Sequence, residues 1–289
     1  MSKFYAQTVH SDILIHWTGS DFDGAVSDDL YNNPSREHPS TTNEDLNKKY
    51  ITRLSNILRY GLWVKEDKTG DYVVINNIKF ELPKHPRVCF TELKLSESRK
   101  HAFKFGRLGI GFKRLFVVGA GGHPVYYLHN QGKSMFFPSC KSELKESRYA
   151  FFKRMNSDPG DLNYDLFAES EWRIVYDPEL HMEKYFVNPR GNLIEEFNKY
   201  PYNKRLNFKD FELFCQSAIE DDRLKLFLPL NGWLAMIIYP SPDVKNIART
   251  SGIHELIQDI KINNPKSISP KYEQEMMPVE LDLDLCDHF

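Results

Sequence analysis

One face of a helix is written into residues 46–61, and it dictates what the rest of the chain must supply. Leu46, Tyr50, Leu54, Ile57 and Leu58 recur at helical spacing, Thr42 with Asp45 gives a capping-box pattern ahead of them, and Gly61 stands where the helix should end. A helix of this length needs its apolar stripe covered, and the covering material on offer is short β-branched and aromatic runs bounded by turn residues.

Those runs read as strands. Ser11–Gly19 is an apolar run stopped by glycine, with His16 near its end. Leu62–Val64, Tyr72–Ile75 and Arg87–Glu92 follow, the last leading into a helix-like stretch from Ser96 to Phe105. Leu234–Tyr239 is the most apolar run and the candidate central strand, and Asp243–Lys261 is helical with a break at Ser251–Gly252. Residues 20–45 read as a long surface loop, 142–155 as an amphipathic helix, and 181–206 as irregular up to a mixed segment at Phe208–Cys215. The expected fold is α+β: a mixed, mainly antiparallel sheet with flanking helices, in a single domain over residues 1–262. Residues 263–289 read as a mobile acidic C-terminal tail, although the alternation in Val279–Leu285 suits a strand added to a sheet edge, its own or a partner's.

A formal net charge of -2 announces no global field for nucleic acid or membrane. The four cysteines are far apart and form no CxxC pair, which argues against a zinc ribbon and a disulfide framework and for free thiols in a reducing compartment. No metal site is expected. With no apolar core of a signal peptide and no run near the ~20 apolar residues of a spanning helix, the expectation is a soluble cytoplasmic protein without a membrane.

The stretch Phe167–Tyr176 carries the most chemistry. In extended backbone Glu169, Glu171 and Arg173 line one side while Ser170, Trp172 and Ile174 line the other. If that side is buried, the arginine holds one carboxylate ionised and crowding raises the pKa of its neighbour, which would make a working acid. The other reading is an exposed ladder of alternating charge. His16 is likewise either a ligand-facing group or a hydrogen-bonded structural residue. The glycines of Gly106–Phe112 are spaced G-x-x-G-x-G, unlike the dinucleotide fingerprint, and read as a turn and a strand packed closely through bare backbone, or as backbone a ligand lies against. Arg114–Leu128 allows a hairpin or a short helix feeding a strand. No acidic residue occurs between Glu97 and Glu143, where Arg107, Lys113, Arg114 and other basic residues cluster. That asymmetry suggests a positive surface for a pyrophosphate or a nucleic-acid backbone, against chance segregation on a solvated surface.

Ile15-His16-Trp17-Thr18, Leu54 to Leu62, Val88 to Leu93 through His101, Phe105 to Phe112, Pro124-Val125-Tyr126 and Glu169-Ser170-Glu171-Trp172-Arg173 stand in a fixed order. Together they resemble the AbiGi family of bacterial abortive-infection proteins, over roughly residues 11–178. The resemblance implies an anti-phage role beside a co-encoded nucleotidyltransferase-like toxin, with the chain as antitoxin. The His-x-Thr strand, the Ile-Leu-x-x-Gly-Leu turn and the late glutamate strand are also similar to DarT-like ADP-ribosyltransferases. That second resemblance implies an ADP-ribosyltransferase-like scaffold with NAD as co-substrate and a nucleic acid or protein as acceptor. Under it His16 and Thr18 bind NAD, Tyr60 and Thr91 are candidates for the middle position, and Glu171, or Glu169, acts in catalysis with Arg173 orienting it.

Overall fold

The computed structural model describes residues 12–23, 44–66, 72–75, 78–92, 94–128, 147–154, 170–180, 185–264 and 271–286. Among these, a large sheet is built from β1 (Ile13–Thr18), β2 (Leu62–Lys65), β5 (Arg87–Thr91), β6 (Leu108–Lys113), β7 (His123–Pro124), β10 (Glu171–Val175), β11 (Leu224–Leu228), β12 (Leu234–Tyr239) and β13 (Val279–Asp282). Its order is β11-β2-β5-β1-β6-β12-β13, with β10 also on β5 and β7 beyond it. Every pairing is antiparallel except β12 with β13. The hairpin β3 (Tyr72–Ile75) and β4 (Ile78–Glu81) and the parallel pair β8 (Tyr126–Leu128) and β9 (Phe152–Arg154) form two small sheets. The fold is therefore α+β with a mainly antiparallel sheet and several helices, which include α1 (Ser20–Asp23) and α9 (Lys271–Glu275).

Strand alternation divides the core. Leu14, Phe90, Ile110, Phe112, Ile174 and Ile237 point to one face, where they bury the apolar stripe of α2 (Glu44–Tyr60): Tyr50, Leu54, Ile57 and Leu58. Ile15, Trp17, Met236 and Ile238 point to the other, against Ala102 of α3 (Ser98–Phe105) and against Leu283 and Cys286 of α10 (Leu283–Cys286). On this second face the glycines of β6 matter sterically. A Cβ on Gly109 would lie 2.9 Å from the Trp17 ring and one on Gly111 2.7 Å from Met236 Cβ, so bare backbone makes room for the neighbouring strands' side chains. Close packing, and not a ligand, accounts for both.

The long helix ends as its sequence requires. Gly61 has φ +91°, and a Cβ there would lie 2.2 Å from the Leu228 carbonyl oxygen. The last carbonyls of α2 are satisfied from a distance: the Tyr200 hydroxyl donates to Tyr60 O at 2.8 Å, and that of Tyr202 to Leu58 O at 2.9 Å and Arg59 O at 3.0 Å.

Several local expectations are corrected. Residues 147–151 form a 3₁₀ turn and 152–154 a strand, not an amphipathic helix, because Phe152 packs with Leu82 and Phe80 in a satellite core. The stretch read as irregular contains α5 (Leu193–Lys199), whose Asn192 side chain accepts from Ile194 and Glu195 N–H groups as an N-cap. The mixed segment is a helix, α6 (Phe208–Ala218), capped by Asn207. α4 (Arg114–Gly119) decides the hairpin-or-helix question for helix. The break at 251–252 separates α7 (Pro242–Thr250) from α8 (Ile253–Lys261). The C-terminal stretch is not a tail where it is described: β13 adds to the sheet edge in parallel to β12, and buried Asp282 faces Lys245 Nζ at 3.4 Å. No helix among the described residues is long and apolar enough to cross a membrane.

Candidate functional site

One edge of β5 is shared by two strands that do not stay with it. β1 meets it at the Ile15–Thr91 pair, β2 meets it at Lys65–Arg87, and the backbone between is left to other partners. The Cys89 carbonyl takes its hydrogen bond from the His16 side chain, Nδ1 donating at 2.9 Å. Where the strands part, a cleft of about 610 Å³ opens, within the usual range for small-molecule sites.

His16 and Thr18 line this cleft from β1, Arg53 from α2, Trp63 and Lys65 from β2, and Arg87 and Cys89 from β5. Asp221 and Arg223, in the turn before β11, close the far end. Arg53 donates to Thr18 Oγ1 at 3.1 Å and to Asp21 Oδ2 at 2.7 Å. Asp221 accepts from Lys65 Nζ at 2.6 Å and from Arg223 Nη2 at 3.4 Å. Burial works to raise the Asp221 pKa, but the hydrogen bond and charge of Lys65, with the contacts to Arg223, hold it below the ordinary carboxylate value. Burial lowers the His16 pKa, the Cys89 carbonyl opposes this, and the charge of Arg53 adds to it. The imidazole is thus neutral near pH 7, with its proton on Nδ1 and Nε2 left as an acceptor.

Glu171 and Arg173 are not among the residues that line this cleft, although Cys89 and Arg87, which do line it, lie on their face of β5, with Arg173 the cross-strand partner of Cys89. Residues paired across β5 share a face, so Glu171 lies with Thr91 and Ile15 on the α3 side, while His16, one residue on from Ile15, lies on the α2 side with Phe90. Glu171 is 9% exposed and Arg173 3%. Arg173 Nε donates to Glu171 Oε1 at 2.7 Å and Nη2 to Oε2 at 3.3 Å, and Lys153 Nζ adds a contact to Oε2 at 3.0 Å. The same guanidinium donates through Nη1 to Ala150 O at 2.5 Å, which fixes the 3₁₀ turn against β10. Burial works to raise the Glu171 pKa, but Arg173, Lys153 and a hydrogen bond from the Cys89 thiol overwhelm it and hold the carboxyl far below the ordinary range. Glu171 is thus the carboxylate that the arginine holds ionised, while Glu169, the neighbour expected to be raised, lies outside the described residues. The Cys89 thiol is pushed up to about 12 by burial and by the charge of Glu171.

The remaining expected residues scatter. Thr91 is buried, with Oγ1 3.5 Å from His101 Nδ1, and it holds the junction of β1, β5 and β10. Tyr60 is a core residue stacked on Phe214, with ring centroids 4.1 Å apart. Glu169 lies outside the described residues. The basic segment does not make one positive surface. Arg107 and Lys113 flank opposite ends of β6, where Arg107 donates to Pro240 O at 3.0 Å and Lys113 pairs with Asp12 at 3.1 Å. Arg114 is bonded to Glu92, whose other oxygen accepts from Trp172 Nε1 at 2.8 Å. The acids missing from the local sequence arrive from other parts of the chain.

Over residues 63–219, more than half of the 289, the chain matches the family model described as "Putative abortive phage resistance protein AbiGi, antitoxin". The chain belongs to the AbiGi family. The match starts and ends later than residues 11–178, so it takes in Glu171, Arg173, α5 and α6 but leaves β1, with His16 and Thr18, outside. The family description carries an antitoxin role in abortive infection. No curated protein and no solved structure matched the chain.

The cleft residues that the sequence did not disclose are Arg53, Lys65, Arg87, Asp221 and Arg223. Arg53 is an ordinary charge on the rim of an amphipathic helix, and Lys65 meets Asp221 across 156 positions of sequence. Neither leaves a local motif.

Proposed function

We propose that this protein is the antitoxin of an abortive-infection system and acts by binding, without turnover, on a co-encoded nucleotidyltransferase-like toxin. The observation that carries this is the state of Glu171. Both of its oxygens are held by cations, and a buried carboxylate clamped in this way serves to fix strand register and to anchor the 150–154 segment. The family description agrees with that reading.

The transferase reading needs NAD in the cleft with a carboxylate beside the nicotinamide ribose. The cleft has room, and His16 and Thr18 line it, but its acids are Asp21 and Asp221, each already paired with a cation. Glu171 is not among the residues that line the cleft, and both of its oxygens are held by Arg173 and Lys153. These residues do not fit NAD as a co-substrate for transfer, and the ADP-ribosyltransferase-like scaffold has no support beyond the resemblance of its opening segments.

The experiment is to express the neighbouring toxin in a bacterial host alone and with this chain, and to purify the chain by a tag. Arrested growth with toxin alone, restored growth with the chain, and co-purification of the two in a stoichiometric complex are expected. Relief of toxicity without any physical association would overturn sequestration.

A further inference from the structure

The cleft where β1 and β2 part from β5 does not end at Arg53. A second hollow of about 400 Å³ adjoins it, and Arg53, Asn56 and Trp63 stand on the walls of both. The two make one groove that runs from Phe105 and Trp17 across the middle of α2 to Lys48 and Lys49. Its dividing ridge is braced by stacking: the Arg53 guanidinium lies 4.5 Å from the Phe22 ring centroid and 6.0 Å from that of Trp63, and Trp63 packs edge-on against Phe227. Aromatic rings line both halves, Trp17 and Phe105 in the first, Phe22, Trp63 and Phe214 in the second. An elongated groove with two apolar seats suits a chain more than a compact metabolite.

Charge decides which kind of chain. The cations of the first hollow are satisfied within the protein: Arg53 by Asp21, Lys65 and Arg223 by Asp221, and Arg87 by the Cys89 side chain and the Glu171 charge. A phosphate backbone would have to displace these partners, which disfavours nucleic acid. The groups that remain for a ligand there are uncharged. Nε2 of His16 is an acceptor, and the Asn56 side chain makes no hydrogen bond among the described residues. An imidazole and a carboxamide together match the N–H and C=O groups of an extended peptide. The edge of β5 that looks into the cleft is paired only at its ends, at Thr91 and Arg87, with Val88 and Cys89 on the wall between. The second hollow has no acid among its lining residues. Lys48 there pairs with Glu44 at 2.7 Å and Arg53 with Asp21, while Lys49 has no ion pair among the described residues. Resting on the antitoxin reading, we propose that this groove receives an extended segment of the toxin, with uncharged apolar side chains seated on the aromatic walls, its backbone bonded by Asn56 and His16, and a carboxylate of its own at the Lys49 end.

The test is calorimetric titration of the full chain with purified toxin, read as Kd. Lys49 and Thr52 are exposed on α2, so both can be changed without disturbing the core. Thr52→Arg puts a long side chain into the second hollow, which Thr52 lines, and Lys49→Glu reverses the charge at its end. Each should weaken toxin binding by about tenfold or more, with Lys49→Gln between the wild type and Lys49→Glu. Leu115→Arg alters a residue that is 64% exposed on α4, away from the groove, and should leave Kd within about twofold. Toxin binding that is unchanged in both groove variants, or that is lost in Leu115→Arg instead, would overturn the groove and leave the antitoxin reading standing. Displacement of the toxin by single-stranded oligouridylate, abolished in Thr52→Arg, would make the occupant a nucleic acid and overturn the proposal as well. A wild-type chain that does not bind the toxin at all would overturn both readings together.

Discussion

Arg173 Nε lies 2.7 Å from Glu171 Oε1, and the two side chains, two residues apart on one strand, close a fork on the buried α3 face of the sheet. Removing Arg173 leaves the buried carboxylate with Lys153 as its remaining cation contact among the described residues, on one oxygen only. Arg173→Ala should therefore cost about 3–5 kcal/mol in urea unfolding at pH 7, whereas replacing both residues by methionine should cost much less. A loss below about 1 kcal/mol for the single variant would mean that water reaches the site.

The same carboxylate predicts an acid sensitivity with a defined sign. Its folded pKa is depressed far below the ordinary value, so its stabilising contribution is complete above the unfolded pKa of about 4.3 and is lost as pH falls from there towards the folded pKa. Stability of the wild type should fall more steeply below about pH 5 than that of Glu171→Gln, and the gap between them should narrow. Parallel urea midpoints at pH 7, 5 and 4 check this. A gap that widens on acidification would contradict the assignment.

The carbonyls at the end of α2 depend on two tyrosine hydroxyls from distant sequence. Tyr202→Phe leaves Leu58 O and Arg59 O without that donor, and Tyr200→Phe does the same to Tyr60 O. Each should cost roughly 1–3 kcal/mol, since the groups are buried, and hydrogen exchange should quicken in the last turn of α2. Both hydroxyl pKa values are raised by burial, so neither phenol should ionise in the folded protein below pH 10.

Gly111 is the tighter of the two strand glycines. Gly111→Ala puts a methyl 2.7 Å from Met236 Cβ and 2.9 Å from Ile13 Cγ2, and overpacking there should cost about 1–3 kcal/mol. Gly119, with open space around it, should accept alanine at little or no cost in the same thermal-unfolding assay.

Elements with strong local periodicity were readable in the sequence: α2, β5, β6 and β12 announce themselves by spacing and by the glycine that ends or thins them. α5 and α6 are blurred in the sequence because asparagine caps in polar surroundings look like loop, and 147–154 reads as a helix because its aromatics serve a small satellite core and not a helix stripe. Within the site, the fork of Glu171 and Arg173 followed from strand alternation alone. Its chemistry did not, since Lys153, Cys89 and the Ala150 carbonyl come from elsewhere and decide its protonation. The separation of His16 from Glu171 rests on the register of both strands with Thr91, and no local pattern encodes that register.

The central claim is that Glu171 supports the fold and that relief of toxicity needs no chemistry from it. The direct test is growth of toxin-expressing cells supplied with the Glu171→Met/Arg173→Met double variant, expressed and folded at wild-type levels by circular dichroism and Tm. Full restoration of growth is predicted. A folded double variant that fails to restore growth, while the wild type succeeds, would contradict the account.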